Sequence, residues 1–403
     1  MSLRGKRIIV GISGGIAAYK IPELIRSLVK AGAEVRVAAT KNALEFVTEL
    51  TLQTVSGSRV YSDVFAAINE HSTEHISLPE WCDAMLVAPA TANVLAKTAA
   101  GIADDALTTT VCSCVARKPV VIAPAMNDKM WENPATQNAI RTIRSWQNIS
   151  VLEPAEGPLA CGTSGKGRMP EVEELQEALE YALAPKPLAG KKVLITAGGT
   201  QEAIDPVRFI SNYSTGKMGV ALAHACARRG AEVTLVCGAM TAPVYNPFGY
   251  IHRIDALSAQ KMYEACMNEW RQNDLAILCA AVADFTPAEK ATEKIKKQPG
   301  QNSLDLHLTT TPDIARALGE SKQAGQLLIG FALETEHEKE NALRKMERKH
   351  LDAIILNSLR DAGAGFGVDT NQVTVLRQDG KQIALPLQSK ADIADGILDA
   401  ILL

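Results

Sequence analysis

Three loops in the first half of the chain place glycine or polar residues directly after apolar, strand-like runs. Gly14 and Gly15 follow one run, Thr91 and Asn93 follow another, and Asn127 follows a third. A glycine-rich turn between a strand and a helix presents backbone N–H groups and a helix dipole to phosphate. The first loop therefore predicts a phosphate-binding turn. It lacks GxGxxG, so a tight turn that binds no ligand remains the alternative.

The second half places a different group of polar residues just before a helical segment. "SNYSTGKMG" contains Asn212, the hydroxyls of Ser214 and Thr215, and Lys217. This composition suits the capture of an anion at a helix N-terminus, although a Walker A sequence is absent. Asp284 ends the apolar run "AAVADF", in a position suited to a Mg²⁺ or ribose ligand.

A lysine-rich loop follows Asp284. "EKIKKQPG" supplies Lys294 and two further lysines. A lysine cluster is usually a solvated surface, but this one shares a loop with the carboxylate. The next segment, "TTTPDIARAL", predicts a helix with Thr311 as its N-cap and Pro312 at its first position.

Two reactive side chains complete the set. His75 precedes an alternating stretch and does not belong to an apolar face, although a lone histidine is more often packed or solvated. Cys161 lies in glycine-rich sequence without periodicity, whereas most of the other cysteines are expected to be small core residues. No two cysteines are spaced as CxxC, so neither a zinc site nor a disulfide framework is expected.

The elements that must position these residues form the same pattern twice. "RIIVGIS" and "KVLITAG" are apolar runs, and each is followed by a helical segment and a strand that begins "GAEV". This unit spans 27 positions in the first copy (5 to 32) and 40 in the second (190 to 230), so the second carries thirteen more residues. Continuous apolar strands are typical of parallel sheets. We therefore predict an α/β protein of two Rossmann-like domains with parallel sheets.

The domain boundary is predicted from "LAPKPLAG", which carries two prolines and no apolar period. The predicted domains are 1–183 and 190–403, with a short stiff linker at 184–189. Near the end of the second domain, "NQVTVLRQDGKQIALP" predicts a hairpin that turns at Asp379 and Gly380.

Composition narrows the class of protein. The 403 residues are 47% hydrophobic and 22% charged, as in soluble globular proteins of two or three domains. No apolar run reaches about 18 residues, so no membrane association is expected. No hydrophobic signal segment precedes Arg7, which predicts a cytoplasmic protein. A net charge of -3 gives no general attraction to nucleic acid.

Five motifs of the first half, taken in order, resemble the flavin-dependent cysteine decarboxylases: "GGIAAYK", "HISLPEW", "APATANVLAK", "PAMNDKMW" and "ACGTSGKGRM". The resemblance is closest to the phosphopantothenoylcysteine decarboxylase half of bifunctional coenzyme A biosynthesis proteins. It implies a flavodoxin-like domain that binds FMN. The implied residues around the FMN phosphate and ring are Ser13, Gly14, Gly15, Thr40, Pro89, Ala90, Thr91, Ala92 and Asn93.

The same resemblance implies catalytic roles. His75 falls on the essential base, Asn127 on the residue that holds the substrate carboxylate, and Cys161 on the late proton donor. The flap that carries this cysteine would hinge at its glycines, which are Gly162, Gly165 and Gly167. Oxidation of the substrate thiol to a thioaldehyde gives the electrons of the departing CO2 a sink. The resulting enethiolate then needs hydride and a proton.

Four motifs of the second half resemble the phosphopantothenate–cysteine ligase half of those proteins: "SNYSTGKMG", "AAVADF", "KIKK" and "GFALET". The implied reaction activates 4'-phosphopantothenate as an acyl nucleotidylate, which the amine of cysteine then attacks. By this resemblance Asn212 stabilises the acyl intermediate, Lys294 stabilises the charge around its formation, and Asp284 binds metal. The implied nucleotide contacts are Ala280, Asp284, Lys294, Pro312, Asp313, Ile314, Ala315, Phe331, Lys345 and Lys349.

The resemblance as a whole implies a bifunctional, homo-oligomeric enzyme that uses 4'-phosphopantothenate, L-cysteine, CTP, FMN and Mg²⁺. The residues themselves do not distinguish CTP from ATP. Two alternatives stay open at this point. The paired glycine turns also suggest a two-domain NAD(P)-dependent oxidoreductase, although no acidic residue ends the second strand of either unit. The first domain could also be a non-catalytic flavin-binding regulator, against which the presence of His75 and Cys161 argues.

Overall fold

A computed structural model describes residues 3–65, 74–158, 162, 164–299, 301–334, 336–358 and 363–402. The chain divides into two compact units. The first comprises the described residues up to Ala184 together with Tyr245–Phe248, and the second comprises Pro185–Val244 and the residues from Gly249 onward. None of the helices in these ranges combines the length and the apolar character needed to cross a bilayer.

A parallel sheet forms the centre of the first unit. Its described strands are β1 (Arg7–Ile12), β2 (Glu34–Ala39), β3 (Val60–Tyr61), β4 (Ala84–Ala90), β5 (Val120–Pro124) and β6 (Ile149–Val151). They lie in the order β3-β2-β1-β4-β5-β6, which is the Rossmann order. Without the two-residue edge strand β3, the same order is that of flavodoxin. The predicted fold of this domain is confirmed.

Helices cover both faces of this sheet. They are α1 (Ile21–Lys30), α2 (Glu49–Ser56), α3 (Glu74–Trp81), α4 (Ala92–Ala100), α5 (Ala106–Cys114), α6 (Asp128–Glu132), α7 (Pro134–Arg144) and α8 (Val172–Leu183). Along β1, Ile8 and Val10 belong to one buried cluster and Ile9 to another. Alternate side chains of a strand point to opposite faces, so both faces are packed. A hairpin of β7 (Ala155–Pro158) and β8 (Ser164–Arg168) lies outside the sheet.

The second unit repeats the plan with a larger sheet. Its described strands are β9 (Lys192–Ala197), β10 (Gln201–Ala203), β11 (Phe209–Ser211), β12 (Glu232–Cys237), β13 (Ile251–Asp255), β14 (Leu275–Leu278), β15 (Phe285–Pro287), β16 (Leu308–Thr310), β17 (Leu327–Glu334), β18 (Ala353–Ser358), β19 (Thr370–Arg377) and β20 (Gln382–Ser389). The main sheet has the order β13-β12-β9-β14-β17-β18-β19-β20. Within this sheet β19 pairs antiparallel with both β18 and β20, and all other neighbouring strands, including β17 and β18, pair parallel.

The helices of the second unit are α9 (Lys217–Arg228), α10 (Ala259–Trp270), α11 (Ile314–Glu320), α12 (Glu338–Arg348) and α13 (Lys390–Leu402). The predicted hairpin is confirmed: β19 and β20 meet at a turn in which Gly380 has φ 87°. The prediction for α11 is wrong by two residues, because Asp313 and not Thr311 caps it. The Thr311 hydroxyl instead donates to the carbonyl of Ala283 at 2.6 Å.

The thirteen additional residues have a structure that the sequence did not predict. They contain the antiparallel pair β10–β11, whose connection includes Asp205 and Arg208. The predicted linker is also bonded to the second unit. Lys186 donates through Nζ to the carbonyl of Arg228 at 2.7 Å, and the N–H of Leu188 donates to the carbonyl of Arg229 at 2.9 Å.

Candidate functional sites

A cavity of about 1210 Å³ lies at the carboxyl ends of the strands of the first unit. Segments that follow β1 and β4 line it, and the strand order reverses between these strands. Open α/β sheets bind ligands at such switch points. The predicted flavin residues that line the cavity are Ser13, Gly14, Gly15, Thr40, Thr91 and Asn93. Asn127, the predicted carboxylate holder, lines the same cavity.

The buried side chain of Ser13 links the segment after β1 to the end of β4 and the residue that follows it. Its hydroxyl donates to the carbonyl of Pro89 at 2.7 Å and accepts from the N–H of Thr91 at 3.0 Å. The predicted contacts Pro89, Ala90 and Ala92 do not line the cavity. The carbonyl of Ala90 instead accepts the N–H of Ala125 at 3.0 Å. Pro89 and Ala90 therefore support the rim through their backbone carbonyls.

The glycine turn allows two loops to approach closely. A Cβ atom on Gly14 would lie 2.5 Å from the Cβ of Asn42. Thr40 holds the Asn42 segment by accepting the N–H of Ala43 at 3.2 Å. Thr91 precedes α4 and makes no side-chain capping bond, which leaves the N–H groups of the first helical turn available to an anion.

The hairpin strand β8 packs against the loop that carries Asn127. The N–H of Met126 donates to the carbonyl of Gly167 at 3.0 Å, and Asn127 accepts the N–H of Lys129 at 2.9 Å. A Cβ atom on Gly167 would lie 2.2 Å from the carbonyl oxygen of Met126. Gly165 approaches Asp128 in the same way. Both glycines lie in β8 and permit close packing, and their role as hinges stays a prediction.

The structure does not bring His75 to this cavity. His75 is the second residue of α3, and it does not line the cavity. Its Nδ1 is buried without a hydrogen-bond partner among the residues that the structure describes. Cys161 lies outside the described residues, whereas its neighbour Gly162 has φ 85°. The catalytic roles of both residues stay predictions.

Two adjoining cavities of about 370 and 350 Å³ lie at the carboxyl ends of the strands of the second unit. The predicted nucleotide residues that line the first are Ala280, Asp284, Pro312, Asp313, Ile314, Ala315, Phe331, Lys345 and Lys349. The second is lined by Asn212 and the residues that begin α9. Both include Asp284 and Lys345, so the two cavities share a wall. We call them the nucleotide cavity and the acyl cavity, after the contacts implied for them.

The acyl cavity is bordered by the start of α9. Gly216 precedes this helix with φ 79° and makes no side-chain capping bond. A Cβ atom on Gly219 would lie 2.5 Å from the Cβ of Ala197, so glycine lets the helix approach the end of β9. Asn212 donates through Nδ2 to the carbonyl of Ala281 at 2.9 Å. These contacts fix the amide beside an uncapped helix N-terminus.

Lys345, Arg348 and Lys349 give the nucleotide cavity its positive charge. Lys349 donates to Asp313 at 2.8 Å, and Lys345 donates to the carbonyl of Phe331 at 3.4 Å. Burial, and next the charge of Lys349, lowers the pKa of Lys345; nearby carboxylates, including Asp284, partly offset this. Burial raises the pKa of Asp313, but Lys349 and the N–H of Arg316 outweigh it, so the net shift is downward.

The lowered pKa of Lys345 gives a testable pH dependence. The Lys345 side chain is a charged ammonium below its pKa and loses this charge as pH rises through it. Because its pKa is lowered from the 10.5 of an ordinary lysine, the charge is lost at a lower pH. If Lys345 contacts CTP, as the resemblance implies, CTP affinity should fall about tenfold over this alkaline range, since one charged contact is lost. Lys345→Arg keeps its charge and should bind CTP with little change. Calorimetric titration at several pH values measures the difference, and an equal fall in both proteins would contradict this role.

Lys294 lines neither cavity, but both flanks of its loop are fixed. The N–H of Ile295 donates to the buried carboxylate of Asp205 at 3.1 Å, and Arg208 donates to the carbonyl of Ile295 at 2.7 Å. On the other flank, the N–H of Ala291 donates to the carbonyl of Ile204 at 3.0 Å. The hydrogen bonds from Arg208 hold the pKa of Asp205 well below its usual range.

Two family models divide the chain between them. Residues 1–183 match the Flavoprotein family, and residues 188–403 match the DNA/pantothenate metabolism flavoprotein C-terminal domain. The Coenzyme A biosynthesis bifunctional protein CoaBC of Bacillus subtilis (strain 168) is 45% identical over 99% of this chain and 97% of its own length. The chain belongs to this bifunctional coenzyme A biosynthesis family.

Two further relatives bear on the activity of this family member. The CoaBC protein of Escherichia coli (strain K12) is 42% identical over 100% of this chain and 98% of its own length. A protein named Cysteine/Cysteine sulfinic acid decarboxylase, from an unknown prokaryotic organism, is 47% identical over 88% of this chain and 99% of its own length. The resemblance drawn from the sequence motifs is confirmed by the family.

The residues of this family member fit the implied groups. The first cavity exceeds the usual 300–1,000 Å³ of a ligand pocket, and the free first turn of α4 suits a flavin phosphate. No cluster of three or more His, Cys, Asp or Glu side chains suited to a metal occurs in the part of the chain that the structure describes. Asp284 is an exposed carboxylate at the shared wall, and one carboxylate with substrate phosphates is a usual set for Mg²⁺.

Sequence reasoning missed three parts of these sites. Asp205 and Arg208 lie within the additional residues of the second unit, and the sequence motifs assign them no role. Lys390 lines the acyl cavity from the last helix of the second unit, far along the sequence from Asn212. An aspartate directly before "PVR" indicates a hydrogen bond within a local turn. Its hydrogen bond with the N–H of Ile295, 90 residues away, is not indicated by any local pattern.

Proposed function

We propose that this protein ligates cysteine to 4'-phosphopantothenate and then decarboxylates the product to 4'-phosphopantetheine. The observation that supports the proposal most is that each of two sets of implied binding residues lines a cavity in its own unit. Six implied flavin residues line one cavity of the first unit. Nine implied nucleotide residues line one cavity of the second. Membership of the bifunctional family favours this function over the nicotinamide-dependent and non-catalytic alternatives.

In the decarboxylase half, FMN would lie against Ser13, Gly14 and Gly15, with its phosphate towards the free N–H groups of α4. When bound, this flavin accepts hydride from the substrate side chain and later returns it. His75 would take the thiol proton, and Asn127 would hold the departing carboxylate. Cys161 would give the final proton to carbon. The cavity supports only the roles of the implied FMN residues that line it and of Asn127, which lines it as well.

In the ligase half, CTP with Mg²⁺ at Asp284 would occupy the nucleotide cavity. The pantothenate carboxylate would approach the α-phosphate from the acyl cavity, where Asn212 orients the acyl group. Because two anions must meet, Lys345, Lys349 and Lys294 would lower the repulsion between them. The shared wall of the two cavities supports transfer between them. We further propose that the enzyme is homo-oligomeric and cytoplasmic.

An absorption spectrum tests the first half of the proposal. We expect the purified protein to be yellow and to release FMN, in a ratio of about one per chain, on denaturation. Ser13→Ala should lose much of this flavin, because it breaks the bonds that join the two sides of the switch point. Colourless protein from flavin-replete cells, or bound nicotinamide, would refute the flavin assignment.

The substrate of the decarboxylase half needs its own comparison. The relative named a cysteine or cysteine sulfinic acid decarboxylase makes free cysteine a second candidate. We expect CO2 from 4'-phosphopantothenoylcysteine and at most traces from cysteine or cysteine sulfinic acid. A preference for either free amino acid would replace the proposed substrate.

A further inference from the structure

A buried lysine that sequence reasoning did not select forms part of the acyl cavity. Lys390 is the first residue of α13, is only 7% exposed and lines the same cavity as Asn212. Its ammonium donates to the carbonyl of Gly365 at 3.1 Å and to that of Val368 at 2.6 Å. Burial of a charge is costly, so this ammonium must be compensated by its partners.

The partners belong to one glycine-rich loop, residues 363–369. A second lysine binds the same loop: Lys217, from the start of α9, donates to the carbonyl of Gly367 at 3.0 Å and to Asp369 at 2.6 Å. The N–H of Lys390 also donates to the carbonyl of Asp369 at 2.9 Å. Two cations from separate helices therefore hold this loop in one conformation.

The loop is a wall of the acyl cavity and not of the nucleotide cavity. Gly365 and Phe366 line the former, next to the reciprocal amide pair of Asn357 and Asn371. None of residues 363–369 lines the nucleotide cavity. A displaced loop would therefore change the surface met by the acyl substrate and leave the nucleotide contacts in place.

Both the charge and the length of the Lys390 side chain are needed to hold loop 363–369. Burial, and next the charge of Lys217, lowers the pKa of Lys390, whereas Cys279 and Asp369 oppose the shift. A methionine would fill similar space without desolvating a charge, but it could not bond two carbonyl groups. The ammonium is thus the feature that fixes the loop.

We propose that Lys390 is a positioning residue of the ligase site, whose ammonium holds loop 363–369 against the bound 4'-phosphopantothenate. This rests on the proposed function. In this arrangement Phe366 and Lys217 face the anionic substrate in the acyl cavity. The nucleotide binds in the other cavity and does not depend on them.

Steady-state kinetics of Lys390→Met test this role. We expect the KM for 4'-phosphopantothenate to rise about tenfold, since two charged hydrogen bonds to the loop are lost. The KM for CTP should stay within about threefold, because its contacts lie in the other cavity. Lys381→Met makes the same exchange on the exposed hairpin turn and should change neither value. Equal changes in both KM values, or none, would overturn the proposal.

A second variant keeps the test decisive if Lys390→Met does not fold. Phe366 is 41% exposed, so Phe366→Ala removes part of the cavity wall without emptying the core. It should raise the KM for 4'-phosphopantothenate selectively, and an unselective or absent effect would refute the role of the loop. A wild-type protein that forms no pyrophosphate from the three substrates refutes the proposed function itself. If the wild type ligates and the variants keep the wild-type ratio of the KM for 4'-phosphopantothenate to the KM for CTP, only the role of Lys390 is refuted.

Discussion

Gly167→Ala should lower decarboxylation about 10²-fold while ligation continues at the wild-type rate. The added Cβ would lie 2.2 Å from the backbone oxygen of Met126, a distance that no side-chain adjustment relieves. Strand β8 must therefore move away and give up the bond from the N–H of Met126. Asn127 follows directly, so the position proposed for the substrate carboxylate is lost as well. Release of CO2 from supplied 4'-phosphopantothenoylcysteine measures the effect.

Gly57→Ala provides the matched control. Gly57 follows α2 with φ 69°, and no atom lies within 4 Å of the added Cβ. The exchange costs about 1–2 kcal/mol of backbone strain but creates no clash near the cavity. It should leave decarboxylation nearly unchanged. Normal decarboxylation by Gly167→Ala would show that the packing of β8 on the Asn127 loop is not needed for catalysis.

Lys294→Gln should lower ligation about 10²–10³-fold and leave decarboxylation of supplied substrate intact. The proposed role places an ammonium near the charge that develops as the acyl nucleotidylate forms, and glutamine cannot replace that charge. The side chain is exposed, so its loss should not disturb folding. CTP-dependent release of pyrophosphate measures ligation, and CO2 release measures the other half.

Lys297→Gln makes the same exchange at an exposed neighbour in the same loop. If the lysine cluster acts only as a solvated surface, both variants should behave alike. A selective loss in Lys294→Gln separates the two interpretations. Equal loss of ligation and decarboxylation in that variant would refute independent sites.

Features set by local sequence were predicted well. Continuous apolar runs gave the parallel strands, and the Asp379–Gly380 pair gave the terminal hairpin, because both signals depend on neighbouring residues. The glycine turn at Gly14 was also placed correctly beside a cavity. For the strands and the hairpin the physical cause, burial of a strand or a left-handed turn, acts within a few residues.

Features that depend on distant partners were not predicted. The sequence pattern predicts a flap hinge at Gly167 but not its close contact with Met126, 41 residues earlier. The carboxylate of Asp205 reaches Ile295, and Lys390 reaches a loop that a second lysine also binds. Such contacts arise from the order of strands in the sheet, which brings separate loops to the same edge. No local pattern encodes them.

The central claim is that one chain carries two successive activities on two separate sites. Coupled turnover with 4'-phosphopantothenate, L-cysteine and CTP tests it, with pyrophosphate and CO2 measured separately in the same reaction. We predict equal amounts of both products, with no CO2 when CTP is left out and CO2 alone when 4'-phosphopantothenoylcysteine is supplied. Release of CO2 from L-cysteine without CTP, or pyrophosphate that is never followed by CO2, would contradict it.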